Sequence, residues 1–503
     1  MVRSVWHKTV RPNRQAGSSD IMSVRVEVGL LSGKTATVRV GLEEKVEALR
    51  LRAQTTFGVG KARLVNSFGS ILDESVPIKL SSVQDGDALT LQICNTVQVQ
   101  ASSFAFAAIL SDKSVVIWGI KEGWSDDSTA VLDQLENVDQ IQVSCGAFAA
   151  ILGNGSVVTW GDPAAGSDSS DVQHLLQNVQ GIQATDFAFA AILGDGSVLT
   201  WGDPEAGGDS SAVQDQLKDV QQIQSTGSAF AAILGDGSVM SWGSADDGGD
   251  SSDVQQQLKN VCQIQASGAA FAAITGDGSV VTWGAACYGG DSSAVQGQLK
   301  TVQQIQASIR AFAAIVGDGS VVTWGSGNYG GDSSTVQDQL RNARQIQASH
   351  RSFAAMLFDG SVLTWGDAED GGDSSAVQDQ LKNVQQVVSS GNAYAAVLDD
   401  GSVVTWGDAN YGGDSSTVQD QLKHVQHLQA TAAAFAAILV DGSVVAWGDP
   451  QDGGDISAVQ HQLRDVQHIQ STASAFAAVL GSGSVITWGG NAINGGYAVI
   501  SNS

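Results

Sequence analysis

The sequence contains few cysteines, few prolines and few charged residues. Four Cys in 503 residues, at positions 94, 145, 262 and 287 and none in a CxxC pair, exclude a disulfide framework and indicate reduced thiols. Five Pro against 59 Gly indicate tight turns, and 43% apolar against 15% charged residues allow a buried core. No apolar run reaches the roughly 20 residues of a membrane span. We therefore expect an intracellular protein, cytoplasmic or nuclear, without a membrane partner.

Charge divides the chain into two parts. Residues 1–97 hold 13 Lys and Arg against 9 Asp and Glu, whereas residues 98–503 hold 12 against 43. So acidic a surface repels phosphate backbones, and we expect no nucleic-acid partner. Four basic residues precede the first acidic one, Asp20, without a clear apolar face. Residues 1–22 are therefore predicted to be a disordered tail, with an organelle presequence as the alternative.

Internal repetition dominates the rest of the chain. The pair Trp-Gly recurs ten times, first after 42 residues and then every 41, at Trp118, Trp160, Trp201, Trp242, Trp283, Trp324, Trp365, Trp406, Trp447 and Trp488. A fixed period of this length is typical of stacked repeats. Ten units are predicted over residues 96–503, and each is named below by its Trp.

Each unit predicts three strands. In the Trp201 repeat these are Val179–Thr185, Ala188–Leu193 and Ser197–Trp201, and Asp195-Gly196 marks a hairpin turn with positive φ at both central residues. Both faces of the hairpin are apolar, so each sheet has to be covered on both sides. Because a lone hairpin is marginal in water, a unit depends on its neighbours. The Trp side chains are accordingly expected to pack in the core.

A short helix is predicted after each Trp-Gly loop. Asp209 or Ser210 suits its N-cap, and Val213 and Leu217 lie at i and i+4 on one apolar stripe. Gln214–Gln216 should then face outward. The repeated Asp is interpreted as a capping residue rather than a calcium ligand, because each loop offers isolated carboxylates.

A strand, a hairpin of the form AFAAILGDGSVVTWG and a Gly-rich loop resemble the repeat of the regulator of chromosome condensation family over about 400 residues. The resemblance implies a mainly β propeller with one blade per repeat. This repeat is shorter than the family's, its fourth strand is replaced by the predicted helix, and ten units exceed the usual number of blades. We predict a propeller-like closed ring, with an open superhelical stack as the alternative.

Residues 23–95 follow a different pattern. Two alternating strands, a helix and two later strands are predicted at Val24–Gly29, Thr35–Val40, Glu43–Gln54, Arg63–Asn66 and Ala88–Ile93. This ββαββ order, with a Leu-Ser-Gly-Lys-Thr turn, resembles ubiquitin and implies a β-grasp domain. Leu31 and Val65 match two residues of ubiquitin's apolar binding patch, and Gln92 stands at the third. The chain runs on from Cys94 without a Gly-Gly terminus, so the resemblance implies a fixed adaptor domain.

Residues with catalytic or ligand-binding patterns are scarce. Gly325–Gly330 matches the dinucleotide fingerprint GxGxxG, but no parallel βαβ unit surrounds it. His427 and His468 lie one repeat apart, yet other units carry Gln there, and no Cys or acid stands at ligand spacing. No catalytic triad or phosphate loop is found. We expect no enzymatic activity, no cofactor and no metal.

Positions that vary between repeats are the candidates for binding, because recurring positions hold the fold. The loop after Trp-Gly varies at Trp124, Tyr288, Tyr329 and Tyr411, and the bend before the hairpin varies at Ile309-Arg310 and His350-Arg351. Arg310 and Arg351 lie one repeat apart and should sit side by side. With Arg341 and Arg344 they supply four of the twelve positive charges of the array. This neighbourhood is predicted to contact an acidic partner segment, with unselected surface drift as the alternative.

Two functions of different classes are consistent with these features. The first is a protein-interaction scaffold with a ubiquitin-like adaptor, serving ubiquitin-linked assembly. The second is nucleotide exchange on a small GTPase, which the repeat resemblance permits, although no exchange-catalysing loop maps onto a residue here. A secreted adhesion array is disfavoured by the absence of a signal peptide and by the ubiquitin-like domain.

Overall fold

The computed structural model describes residues 23–29, 35–57, 62–65, 72, 76–81, 83–93, 98–101, 106–109, 113–118, 131–482, 484–490 and 499–500. The chain separates into two compact units, residues 1–94 and 95–503. The predicted tail lies outside the described residues.

The first unit is a mixed four-stranded sheet with one helix. Its elements are β1 (Ser23–Gly29), β2 (Thr35–Gly41), α1 (Val46–Phe57), β3 (Ala62–Val65), a 3₁₀ turn (Ile78–Leu80) and β4 (Ala88–Ile93). The strand order is β2-β1-β4-β3, with β1 parallel to β4 and the other pairs antiparallel. The predicted ββαββ order is thus present.

The core of this unit follows from strand alternation. Val24, Val26 and Val28 of β1 are buried together with Val46 and Leu49 of the helix. The helix begins three residues later than predicted. Residues 42–44 form a turn instead, in which the side chain of Glu44 accepts a hydrogen bond from the Gly41 N–H (2.8 Å).

In the described residues the second unit consists of ten antiparallel sheets, one for each repeat, of which nine have three strands and the last has a short fourth strand. The first strands are Gln98–Ala101, Val138–Val143, Val179–Ala184, Val220–Ser225, Val261–Ala266, Val302–Ala307, Ala343–Ala348, Val384–Ser389, Val425–Ala430 and Val466–Ser471. The second strands are Phe106–Ile109, Ala147–Leu152, Ala188–Leu193, Ala229–Leu234, Ala270–Thr275, Ala311–Val316, Ser352–Leu357, Ala393–Leu398, Ala434–Leu439 and Ala475–Leu480. The third strands are Val115–Trp118, Val157–Gly161, Val198–Gly202, Val239–Gly243, Val280–Gly284, Val321–Gly325, Val362–Gly366, Val403–Gly407, Val444–Gly448 and Val485–Gly489, and Val499–Ile500 pairs with the last of them. The mainly β, three-stranded repeat is confirmed.

The hairpin turns lie where Asp-Gly predicts them, but their conformation differs from the prediction. Only Gly196 has positive φ (79°), whereas positive φ was expected at both central residues. Leu193 N–H donates to the Ser197 carbonyl (2.9 Å), which makes a three-residue loop with glycine in the left-handed position. Asp195 accepts from the Ser197 N–H (2.9 Å) and hydroxyl (2.6 Å), and these bonds replace the tighter turn.

The core lies between repeats. Phe189 stacks on Trp201 with ring centroids 5.3 Å apart, and Trp201 Nε1–H donates to the Gly166 carbonyl of the preceding repeat (3.0 Å). Gly207, with φ 96°, packs against the Phe230 ring of the following repeat. The nine Trp side chains that the structure describes, Trp160 to Trp488, are buried, which confirms their predicted core packing.

The predicted short helix is wrong in the eight repeats from Trp160 to Trp447, whereas Val131 and Leu132 of the Trp118 repeat are helical. The segment after Asp209 forms successive turns, and the helical turn comes earlier, at Pro204–Ala206. Gln214 does not face outward, because its amide donates to the Val198 carbonyl of the third strand (2.8 Å) and its Oε1 accepts from Ser210 Oγ (2.7 Å). These side-chain bonds hold the segment against the sheet, where a two-turn helix would not pay its nucleation cost.

Neighbouring repeats are also joined through their backbones. In the bend after the first strand, a backbone N–H donates to the carbonyl of the equivalent residue one repeat later. This series is unbroken from the Cys145 N–H, which donates to the Asp186 carbonyl (3.0 Å), to the Ala432 N–H, which donates to the Ala473 carbonyl (2.7 Å). Successive first strands lie side by side, and the first strand of the tenth repeat contacts the first strand of the first. Each repeat therefore completes its hydrogen bonding and its burial with its neighbours.

Candidate partner-binding site

The bend and the loop of one repeat meet at the same edge of the array. In the Trp324 repeat, Ser308 Oγ donates to the Tyr329 carbonyl (2.7 Å), and Ser326 N–H donates to the Arg310 carbonyl (2.9 Å). Equivalent Ser or Thr bonds recur in the repeats from Trp160 to Trp447, for example from Ser349 to Asp370. We call this edge, made of the bends and loops of successive repeats, the rim. The variable positions of both groups that the structure describes lie on it.

Arg310 and Arg351 share a tyrosine ring on the rim. The guanidinium carbon of Arg310 lies 4.6 Å from the Tyr288 ring centroid and 5.1 Å from that of Tyr329. The guanidinium carbon of Arg351 lies 5.1 Å from the Tyr329 centroid. Bend residues thus alternate with loop residues of successive repeats, in the order Tyr288, Arg310, Tyr329, Arg351. Each contact is a cation–π interaction, which orders both side chains.

The two arginines differ in their charge environment. Arg351 Nη2 lies 2.6 Å from Asp367 Oδ2, and its Nε lies 3.7 Å from Asp370 Oδ2. Within the described residues no carboxylate lies within the 4.0 Å ion-pair distance of Arg310, and its buried Nε has no hydrogen-bond partner. Arg310 is therefore the uncompensated cation, whereas two carboxylates neutralise Arg351.

Asp370 is almost fully buried, at 3% exposure. Burial raises the pKa of this carboxyl, the neighbouring Asp367 raises it further, and Arg351 opposes both effects. Sequence reasoning missed Asp367 and Asp370. The available signal was the period, because Asp370 stands one repeat after Tyr329, which stands one repeat after Tyr288.

His350 and Ile309 flank the arginines in the same bends. Both are exposed, Ile309 at 40%, and the Ile309 N–H donates to the His350 carbonyl (3.1 Å). The His350 ring leans over Gly391 of the next bend, where an added Cβ would come within 2.7 Å of it. These side chains extend the site beside the aromatic and cationic stack.

Other candidate residues lie apart from this stack. The Tyr411 ring, two repeats beyond Tyr329, is partly buried against the hydrophobic core between the Trp406 and Trp447 repeats. Val65 is half-buried on β3 of the first unit. Arg341 and Arg344 precede or open the strand Ala343–Ala348, so about 17 Å of strand separates them from the bend that holds Arg351. The predicted clustering of all four arginines is therefore wrong. Leu31 and Trp124 lie outside the described residues.

The described part of the chain offers neither a metal site nor a membrane-spanning helix. No group of three or more His, Cys, Asp or Glu is placed there to hold a metal ion. His468 Nε2 lies 2.6 Å from Gln470 Nε2, and burial, followed by the neighbouring His427, lowers its pKa. No described helix is long and apolar enough to cross a bilayer.

Comparisons with known proteins find fold-level neighbours alone. No family model matches the chain, and no curated protein matches it. The chain is similar to Prp20p of Saccharomyces cerevisiae (16% identity, 47% of this chain, 73% of that chain, TM-score 0.30) and to human WBSCR16 (12%, 76%, 90%, 0.32). Residues covering 14% of the chain are similar to Caldiarchaeum subterraneum ubiquitin (19% identity, 91% of that chain, TM-score 0.13). These scores are low, and the fold described above rests on strand order and register.

Proposed function

We propose that this chain is a non-catalytic protein-interaction scaffold that receives a short acidic segment of a partner protein at the rim. The observation that supports this most directly is Arg310, a cation held between two tyrosine rings without a carboxylate in reach among the described residues. Core positions repeat with little change, whereas the rim varies, as expected where one surface binds a particular partner.

The partner segment is limited in charge. A carboxylate that bonds to Arg310 gains charge-assisted hydrogen bonds beside aromatic surface. The array as a whole carries 43 acidic residues against 12 basic ones, so a strongly acidic chain is repelled during its approach. A segment with one or two carboxylates and apolar side chains for Ile309 and the tyrosine edges fits both conditions.

The closed ring belongs to the same proposal. The contact between the first strands of the first and tenth repeats supports ten blades around one axis. An open stack would leave one apolar sheet face uncovered at each end, which repeat proteins avoid with polar capping units. The first unit, with its β2-β1-β4-β3 sheet, serves in this proposal as a ubiquitin-like β-grasp adaptor toward ubiquitin-pathway components.

Charge reversal tests the scaffold function. Arg310→Glu should reduce capture of the native partner from the source cells at least about thirtyfold, because a contacted charge pair becomes a repulsion. Arg464→Glu is the matched control, since Arg464 is exposed on a segment away from the rim and should leave capture intact. Equal capture by the wild-type chain and the Arg310→Glu variant would contradict the proposal.

Nucleotide exchange on a small GTPase is the second candidate, supported by the sequence resemblance of the repeats alone. Mixing the purified chain with nucleotide-loaded small GTPases separates the two functions. Accelerated nucleotide release would favour exchange, and an unchanged rate across the set would favour the scaffold.

A further inference from the structure

The tyrosine and two carboxylates that surround Arg351 recur two repeats later. Arg351 lies against Tyr329 and pairs with Asp367 and Asp370. Two 41-residue repeats further on, the same positions hold Tyr411, Asp449 and Asp452. Among the described repeats, this combination of a loop tyrosine followed by two aspartates in the next loop occurs at these two places.

The two places share their backbone geometry. Asp367 and Asp449 each precede a short turn, Ala368–Gly372 and Pro450–Gly454, that leaves the helical conformation at a glycine with positive φ (Gly371, 88°; Gly453, 100°). Their own φ and ψ are −66° and 124° in the first turn and −62° and 123° in the second. In each, one carboxylate oxygen accepts from the N–H two residues on, at 3.1 Å and 2.7 Å. The other oxygen of Asp367 is the one that binds Arg351.

In both repeats the same hydrogen bonds join this loop to the bend before the second strand. Asp367 N–H donates to the Arg351 carbonyl (3.0 Å), and Asp449 N–H donates to the Ala433 carbonyl (2.9 Å). Thr431 Oγ1 bonds the Asp452 carbonyl (3.0 Å), as Ser349 does for Asp370. The residue in the position of Arg351 is therefore Ala433.

Replacing arginine with alanine leaves the carboxylates without a cation. Within the described residues no basic side chain lies within 4.0 Å of Asp449 or Asp452. Burial raises the pKa of Asp452 and the charge of Asp449 raises it further, with no cation opposing them as Arg351 does at Asp370. The second place thus keeps the acceptors and the ring of the first but lacks its guanidinium.

We propose that Tyr411, Asp449 and Asp452 form a slot for the guanidinium of an arginine side chain carried by a partner protein. The slot extends the proposed scaffold function with a second contact of opposite charge, and it stands independently of Arg310. Arginine is preferred to lysine, because a planar guanidinium can stack on the tyrosine and still donate to two carboxylates. The acidic array attracts such a basic segment during its approach.

Two substitutions in the bends test the slot. Ala433→Arg should place a guanidinium in it from within the chain, as Arg351 does in its own repeat. Arg351→Ala should empty the first place and create a second slot. The probes are Ac-Gly-Arg-Gly-NH₂ and its lysine analogue, added to the full chain while ring-labelled tyrosines are observed by NMR. The chain has five tyrosines, and Tyr411→Phe identifies the Tyr411 signals.

In the wild-type chain the arginine peptide should shift the Tyr411 signals, and the lysine peptide should bind about tenfold more weakly. Tyr288, which stacks on Arg310, is the internal control and should not respond. In Ala433→Arg the Tyr411 response should disappear, and in Arg351→Ala the Tyr329 signals should respond as well. An unresponsive Tyr411 in the wild-type chain, or an undiminished response in Ala433→Arg, would overturn the proposal. If Arg351→Ala fails to fold, the Tyr411 responses of the wild-type chain and of Ala433→Arg still test the proposal.

Discussion

Tyr394 and Ser352 are predicted to stabilise the array as a coupled pair. Tyr394 stands where the nine other repeats have Phe, and Ser352 stands in the preceding repeat where the nine others have Ala. The Tyr394 hydroxyl is completely buried, 3.0 Å from the Ser349 N–H and 3.1 Å from Ser352 Oγ. Burial raises the pKa of Tyr394 to about 12, so the hydroxyl stays protonated.

The direction of each hydrogen bond sets the expected magnitudes. Ser352 Oγ donates to the Asp370 carbonyl (2.6 Å), so it can accept the proton of the Tyr394 hydroxyl. Ser352→Ala removes that acceptor and leaves a buried O–H unpaired, at a cost of about 1–3 kcal/mol. Tyr394→Phe should cost about 1 kcal/mol, because the Ser349 N–H keeps its bond to the Ser352 carbonyl (2.9 Å). The double variant recreates the common repeat and should be nearly neutral.

Urea unfolding of the four chains, followed by tryptophan fluorescence and circular dichroism together, measures this coupling. The free energies of unfolding should give a favourable interaction of about 2–4 kcal/mol between the two substitutions, which is the sum of the two single losses. If the loss in the double variant equals the sum of the single losses, the hydrogen-bond assignment is wrong.

Two further predictions concern turns and pH. Gly207→Ala should lower the free energy of unfolding, measured in urea, by about 2 kcal/mol or more, because φ is 96° and the new Cβ would lie 2.6 Å from the Phe230 ring. Gly181→Ala is the control and should change this free energy by less than about 0.5 kcal/mol, because the space around Gly181 is open. Hydrogen bonds from Ser197 lower the pKa of Asp195. Hydrogen bonds in six other hairpin turns lower the pKa values of the equivalent aspartates in the same way. Their stabilisation is present above the unfolded carboxyl pKa of about 3.9 and is lost as pH falls through the lowered folded values. Asn154 already accepts the equivalent hydrogen bond in one turn. Replacing the seven aspartates with Asn should therefore weaken the loss of stability between pH 5 and pH 3. An unchanged pH dependence of the urea midpoint would contradict the stabilising role of these carboxylates.

The fold was largely predictable because its signals are local. The Asp-Gly turns and the wholly apolar strands such as Ala188–Leu193 each depend on neighbouring residues in one strand or turn, and the 41-residue period repeats them. The segment after Asp209 was not predictable in this way. Val213 and Leu217 have helical spacing, but Gln214 bonds the Val198 carbonyl sixteen residues earlier, and no period within the segment encodes that contact.

The candidate site shows the same division. Spacing by one repeat placed Arg310 and Arg351 side by side, which required only that units stack in order. Their interleaving with Tyr329 and Asp370 depends on the meeting of bend and loop, which are about 20 residues apart in sequence and joined by a side-chain hydrogen bond such as that of Ser308. Once that contact is known, the period alone locates the slot at Tyr411.

A single repeat is predicted to be stable only between its neighbours. A 41-residue peptide, residues 179–219, lacks the Gly166 carbonyl that Trp201 uses and the Phe230 ring that covers Gly207. Far-UV circular dichroism of this peptide during heating should show an unfolded chain without a cooperative transition. A native-like β spectrum with a sigmoidal melt would contradict the account.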